Sequence, residues 1–437
     1  MLLECKSILT SVSSLMASCR RKSKEDAGRD VISELPVEVK ERILECLPTR
    51  DAARTALLST QWNEVWLRHG QLVFDKDFLK CLSKYECEKG MALINTINDI
   101  LMLRAGPIEK FTLQVHRTSD PQPQQCDLDR WCRFLSRNGV QELNLYISRN
   151  HKLPSCIFLC GTIKQLTMGG FIFDLPVPSC IFPSVTSLFL ENVEFSDNAK
   201  EIVYSVPNLE ELIFCGCKGI TNFEISSAKL DRYIVIGSLF WMKLDESRWF
   251  MRCLKTIKTL ILGARFLLCK DAEIANVTFP TAINLQVIEL YDLSVSCAAQ
   301  FAFVLQLLQN SPNLCQLKIM ALNCLCSCDL TTGTSLLEEQ NCCIIKQDLK
   351  ILNTIIIVGF SGFTLEMLFV KMLLTKSPTL ERVAIMEYVD TDIEDTSEDV
   401  NSWRKELLCF PRASPKAQLV CTENDDSVFE LFDYMWF

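Results

Sequence analysis

From Ile108 onward the chain returns again and again to one six-residue pattern, apolar-x-x-apolar-x-apolar. It reads IEKFTL at Ile108, VQELNL at Val140, IKQLTM at Ile163, VTSLFL at Val185, LEELIF at Leu209 and LDRYIV at Leu230. It continues as IKTLIL at Ile257, LQVIEL at Leu285, LCQLKI at Leu314, LNTIII at Leu352 and LERVAI at Leu380. Alternation at the fourth and sixth positions is strand-like, so each copy predicts a short strand with those two side chains pointing inwards and the third and fifth pointing out. From Val140 the starts lie 21 to 38 residues apart. No single copy buries its own apolar face, so neighbours must stack.

Three junctions support this register. Ser205-Val206-Pro207-Asn208-Leu209, Ser311-Pro312-Asn313-Leu314 and Ser377-Pro378-Thr379-Leu380 each place a proline just before a strand. Two of them follow helical patterns: Phe301, Val304, Leu305 and Leu308 share one face, and Leu365, Leu368, Phe369, Met372 and Leu373 share another. One strand per repeat at this period, with helices on the convex side, is the signature of leucine-rich repeats. The expected body is an irregular α/β solenoid, a horseshoe.

Residues 30–67 carry a different pattern, that of three short helices. Pro36 suits a first helical turn, and Val39, Ile43 and Leu47 then fall on one face. Pro48 ends that helix, and Thr49 is the expected cap of a second one carrying Ala52, Ala53, Leu57 and Leu58. Ser59 or Thr60 caps a third, with Trp62, Val65 and Trp66 at helical spacing. A segment of about 40 residues cannot bury this much apolar surface unaided, so part of it should meet something else.

Leu35-Pro36, Ile43-Leu44, Leu47-Pro48, Asp51-Ala52, Arg54-Thr55, Leu57-Leu58-Ser59, Trp62 and Trp66 resemble an F-box of the plant type. Further on, Ser377-Pro378, Leu380-Glu381-Arg382, Ile385, an acidic stretch, then Leu407-Leu408 and Phe410-Pro411-Arg412-Ala413-Ser414-Pro415-Lys416-Ala417 look like an FBD domain. Together with the repeats, the chain is similar to the plant F-box/FBD/LRR-repeat proteins. The resemblance implies an α/β chain organised as a leader at 1–29, an F-box at 30–75, repeats at 76–360, an FBD segment closing the solenoid at 361–420 and a tail at 421–437. It further implies a non-catalytic substrate receptor of an SCF-type cullin–RING ubiquitin ligase, in the cytoplasm or nucleus. The F-box would dock on a Skp-type adaptor, and through it on a cullin and a RING protein. Leu35, Pro36, Ile43, Leu44, Leu47, Pro48, Leu57, Leu58 and Trp62 are the adaptor-binding candidates, with Trp66 turned towards the repeats. A receptor whose small, hormone-like ligand completes the substrate surface is the alternative; an adaptor-independent scaffold or a hidden hydrolase is weaker still.

Composition narrows the partners. Net charge is −9, so general nucleic-acid binding is not expected. Hydrophobic residues make up 49%, a surplus that suits repeats covered on two sides. No run of about 18 apolar residues suggests a membrane span. The 23 cysteines include no CxxC pair. Cys324, Cys326 and Cys328 alternate, as do Cys215 and Cys217, which is closer than zinc ligands usually come. They are expected as small apolar fillers, with no metal or cofactor. Arg20, Arg21, Lys22 and Lys24 read as part of a solvated, disordered leader, with a nuclear-import signal as the other reading.

Candidate chemistry is sparse. His69, His116 and His151 adjoin no nucleophile motif, and no glycine-rich phosphate loop occurs. Asp390, Asp392, Glu394, Asp395, Glu398 and Asp399 lack the order of a calcium loop. The outward strand positions are mostly polar, but Phe189, Ile213, Ile234 and Ile261 would lay an apolar stripe across four successive strands. An exposed stripe of that kind would be a substrate-docking site; the bland reading is that a segment covers it or that the register slips by one residue.

Overall fold

A computed structural model describes residues 32–80, 86–115, 122–174, 180–196, 203–220, 224–237, 248–263, 279–294, 298–321, 345, 347–387 and 397–422. The leader with its basic cluster, His116, Cys324, Cys326, Cys328, residues 390–396 and the tail from 423 lie outside the described residues, as do the side chains of Glu398 and Asp399. The chain divides into two units, 1–185 and 186–437.

The first unit opens with α1 (Val37–Glu45), α2 (Thr49–Thr55) and α3 (Thr60–Arg68). There follow β1 (Gln71–Phe74), α4 (Lys76–Lys80), α5 (Glu86–Met102), β2 (Lys110–Val115) and α6 (Gln125–Arg137). It ends with β3 (Glu142–Lys152), α7 (Ser155–Phe158) and β4 (Gln165–Phe173). Its four strands are parallel and adjacent in chain order. Leu72, Phe111, Leu143 and Leu166 stand in register and are fully buried.

The second unit begins with β5 (Ser187–Glu191), β6 (Glu194–Phe195), β7 (Val203–Ser205), β8 (Glu211–Cys215), β9 (Glu224–Ser226) and β10 (Arg232–Ile236). It continues with α8 (Arg248–Cys253), β11 (Thr259–Gly263), β12 (Val287–Leu293), α9 (Ala298–Gln309) and β13 (Gln316–Ala321). Last come β14 (Thr354–Phe360), α10 (Thr364–Lys376), β15 (Arg382–Glu387), α11 (Ser397–Leu408) and β16 (Gln418–Thr422). A parallel ladder runs β5-β8-β10-β11-β12-β13-β14-β15-β16, while β7 and β9 pair apart from it. All eleven six-residue copies are strands. Their fourth and sixth residues, such as Leu212 and Phe214, Leu260 and Leu262, or Ile355 and Ile357, are buried. Each such side chain stabilises the stack by roughly 1.5–3 kcal/mol.

A shared turn sets the start of many strands. The amide of the first residue of the six donates to the carbonyl three residues back: Leu209 to Val206, Leu285 to Ala282, Leu314 to Ser311, Leu352 to Leu349 and Leu380 to Ser377. Val185 does the same to Phe182. Proline fills the second position of this turn at 183, 207, 312 and 378, where its fixed φ is already correct. Ser311 and Ser377 in the same turns are fully buried, and the Ser311 hydroxyl donates to the Leu307 carbonyl at 2.6 Å.

The helical faces foreseen at α9 and α10 meet each other. Phe301, Val304, Leu305 and Leu308 are buried, as are Leu365, Phe369 and Leu373, and the Phe301 and Phe369 rings pack edge to face with centroids 5.3 Å apart. Leu368 and Met372 are half-buried. After β15 the ladder does not stop. Residues 397–422 add α11 and β16, with Trp403 against Phe360 at 5.0 Å. Gly362 has a φ of +77° and leaves room for that indole, since a Cβ there would sit 2.7 Å from it.

Candidate functional site

In the helical segment, Pro36 and Pro48 directly precede α1 and α2, and neither helix has a side-chain cap. Thr49 was expected to cap α2; its hydroxyl instead accepts the Val73 amide at 2.7 Å and fastens α2 to β1. Ser59 does cap α3, accepting the Trp62 amide at 3.3 Å.

Two faces of α1 then diverge. Leu44 is fully buried, and Lys40 is 4% exposed. The Lys40 ammonium donates to the Ser33 carbonyl at 2.6 Å and to Gln61 Oε1 at 2.7 Å, and lies 5.8 Å from the centroid of the Trp62 ring. One buried cation thus binds the residues before α1 to α3. The neighbouring face carries Val39 (42% exposed), with Ile43 and Leu47 half-buried. Around it Ile32, Pro36, Val37, Pro48 and Leu58 are exposed, and Leu35 and Leu57 are half-buried. The stripe that spacing placed on one side of α1 is therefore partly exposed, most of all at Val39. Leu44 and Trp62, both named as adaptor contacts, are enclosed and support this surface from beneath rather than forming it.

Behind this surface, α3 is locked to the residues that lead into β2. Trp66 is buried, as expected of a residue turned towards the repeats. The Arg104 guanidinium stacks 4.2 Å from its ring centroid and donates to the Trp66 and His69 carbonyls at 2.7 and 2.9 Å. The His69 ring stacks on the other partner, Trp66, at 6.0 Å. Burial, and then the Arg104 charge, push the His69 pKa down to about 4, and burial alone lowers Arg104 to about 10. The Ala105 amide donates to the Leu67 carbonyl at 2.9 Å, and Gly106 passes so close to Arg68 that a Cβ would be 3.1 Å away.

The apolar stripe of the second unit is aligned as expected but is not an open surface. Phe189, Ile213, Ile234 and Ile261 are register partners across β5, β8, β10 and β11. However, Ile213 is 6% exposed, Ile234 and Ile261 are fully buried, and Phe189 is half-buried. They belong to one cluster with Tyr291, Ile356, Val358, Ala384 and Met386. Both faces of β10 and β11 are thus core. The expectation of a docking stripe fails because it assumed that third- and fifth-position residues stay in water along the whole ladder. The same row continues as buried Glu289 and half-buried Lys318, which pair at 2.6 Å. The Tyr291 hydroxyl donates to Glu289 Oε2 at 3.2 Å. Sequence reading gave no sign of this ion pair, although it lies at positions 29 residues apart that the repeat register makes neighbours.

Among the described residues no cluster of three or more histidine, cysteine or acidic side chains is placed to hold a metal ion. Cys217 is buried, its thiol 3.2 Å from the Leu190 carbonyl, and burial raises its pKa to about 12. No helix among the described residues is long and apolar enough to cross a membrane.

Comparison with known proteins agrees with this division. An F-box domain profile matches residues 32–72. A second, described as FBD-associated F-box protein At5g56370, LRR repeats, matches residues 128–338. The F-box/FBD/LRR-repeat protein At1g13570 of Arabidopsis thaliana is 29% identical over 90% of this chain and 99% of its own length. The FBD-associated F-box protein At3g52670, also of Arabidopsis thaliana, is 26% identical over 56% of this chain and 57% of its own length. The putative F-box protein At3g58860 of the same plant is 32% identical over 48% of this chain and 44% of its own length. A helical F-box segment followed by parallel strand repeats makes this chain similar to the plant F-box/FBD/LRR-repeat proteins.

Proposed function

We propose that the chain is the substrate-recognition subunit of an SCF-type cullin–RING ubiquitin ligase. The observation that carries this is the partly exposed apolar stripe of α1. Exposed Val39 lies beside half-buried Ile43 and Leu47, and Ile32, Val37 and Leu58 are further exposed apolar residues of the segment that the F-box profile matches. Large apolar side chains left exposed this often in a short segment support a protein-binding role. A Skp-type adaptor would cover these residues, reaching Leu35, Pro36, Pro48 and Leu57 as well. Leu44, Trp62 and Lys40 hold the segment in shape.

In this reading the repeats hold a target protein, and the residues from 361 to 420 act as the FBD segment, extending the ladder by β15 and β16. The chain contributes no nucleophile. Ubiquitin transfer gains its rate from effective concentration, as target lysines are held near a conjugating enzyme carried by the complex. The compartment is the cytoplasm, the nucleus or both.

The test is the affinity of the full chain for a Skp-type adaptor, beside a Val39→Asp/Leu58→Asp variant. Both substitutions are on exposed positions and should leave folding intact. Micromolar or tighter binding by the parent, weakened at least about tenfold in the variant (about 1.4 kcal/mol), is the expected result. An unbound parent chain would leave the repeats as a binding surface working without the ligase.

A further inference from the structure

We propose that the outer face of α6 is a docking surface for an acidic, extended peptide segment of a partner protein. The inner face fixes the helix: Leu128, Trp131, Cys132 and Leu135 are buried, and the Trp131 indole donates to Asn98 Oδ1 at 2.8 Å. The outer face is therefore held in one orientation. On it stand Arg130, Arg133 and Arg137, all exposed, at positions i, i+3 and i+7. With half-buried Phe134 they edge an open depression of about 470 Å³ along this one helix.

The charge of this surface runs against that of the chain. Acidic residues outnumber basic ones 54 to 45, yet none of the three arginines forms an ion pair among the described residues. The carboxylate within the depression, Asp129, accepts a hydrogen bond from Gln125 Nε2 at 3.0 Å. Guanidinium groups bind carboxylates in paired, planar geometry, so a row of them with no such partner is a row of open sites.

Spacing selects the conformation of the occupant. Arg130 and Arg137 are seven residues apart on a helix, about 10 Å along its axis. A polyproline-type segment presents the same face every three residues, about 9 Å. Carboxylates at every third position would meet both ends of the row, with an apolar residue between them on Phe134. Nucleic acid fits less well: three charges on one short helix neutralise few phosphates, and the rest of the chain is acidic.

The experiment is fluorescence anisotropy of the full chain with a labelled peptide bearing glutamate at every third position, with proline and phenylalanine between. Binding that weakens as salt rises, and that falls at least about tenfold in Arg130→Glu/Arg137→Glu, is expected. Arg54→Glu/Lys80→Glu makes an equal charge change elsewhere on the same unit and should leave the affinity as it was. Equal loss in both variants, or no binding, overturns the proposal. Stronger binding of a single-stranded oligonucleotide than of the peptide overturns it too. Removal of residues 423–437 that raises peptide affinity tenfold would make the chain's own acidic tail the occupant. Dimers abolished by the arginine changes would make it a second copy. Either result replaces the partner proposed here.

Discussion

His69 is a residue whose chemistry turns on its neighbours. It is enclosed against Trp66 with the Arg104 cation beside it, and its pKa falls from 6.5 to about 4. Between those values the unfolded chain binds a proton that the folded chain refuses, so stability rises with pH across the window and falls as the solution is acidified. Urea unfolding at pH 7 and pH 4.5 should show a loss on the order of 2 kcal/mol in the parent that is absent from His69→Phe. An equal loss in both would place the acid sensitivity elsewhere. Sequence made Trp66 legible as an inward residue, because helical spacing sets its face. It did not reveal Arg104, which comes from 38 positions away. The same limit applies to Thr49: its hydroxyl has a local use as a cap, and only the approach of β1 gives it a better donor at Val73. Ser59 has no such competitor and caps as its sequence suggests.

Among the elements, the strands of the second unit differ in what their outward positions meet. Gln316 on β13 is half-buried, whereas Ile234 on β10 is sealed between Ile213 and Ile261. Ile234→Asp places a carboxylate among aliphatic side chains with no partner and should cost about 4 kcal/mol or more, enough to lower soluble yield. Gln316→Ala should stay within about 1 kcal/mol. Thermal denaturation of the two reads the contrast, and an unchanged midpoint for Ile234→Asp would return the stripe to the surface. The inward positions of all eleven copies were readable because burial at the fourth and sixth residues is forced by stacking. The outward ones were not, since whether anything lies over them depends on segments distant in sequence. Besides the short strands β6, β7 and β9, two more strands, β1 and β16, escaped the pattern for a simpler reason. Leu72 and Phe74 of β1, and Leu419 and Cys421 of β16, lack an apolar residue three before the first of the pair. The turn would have found β16: Ser414-Pro415-Lys416-Ala417 closes with the Ala417 amide on the Ser414 carbonyl, as at Leu314 and Leu380.

For the molecule as a whole, stability rests on contacts between neighbouring strands and on the turns that start them. A stack of this kind divides its energy among adjacent repeats rather than in one centre. The turn is rigid in length: its hydrogen bond spans three residues wherever it occurs, and the register from Thr354 to Arg382 to Gln418 depends on it. The chain between one strand and the next turn carries no such requirement. Consecutive copies are 21 residues apart at Leu209 and Leu230 but 38 apart at Leu314 and Leu352, and both pairs lead into strands of the same ladder. Eight glycine and serine residues inserted after Thr332 should therefore change unfolding free energy by less than about 1 kcal/mol, since even doubling a loop costs about 0.6. One residue inserted between Pro378 and Thr379 should be far more damaging, and urea titration of the two chains would show the difference. Prolines before the strands thus act as reading marks. Descendants of such a gene are free to gain or lose sequence between marks, altering what the repeats present to a partner, while every strand still begins in step.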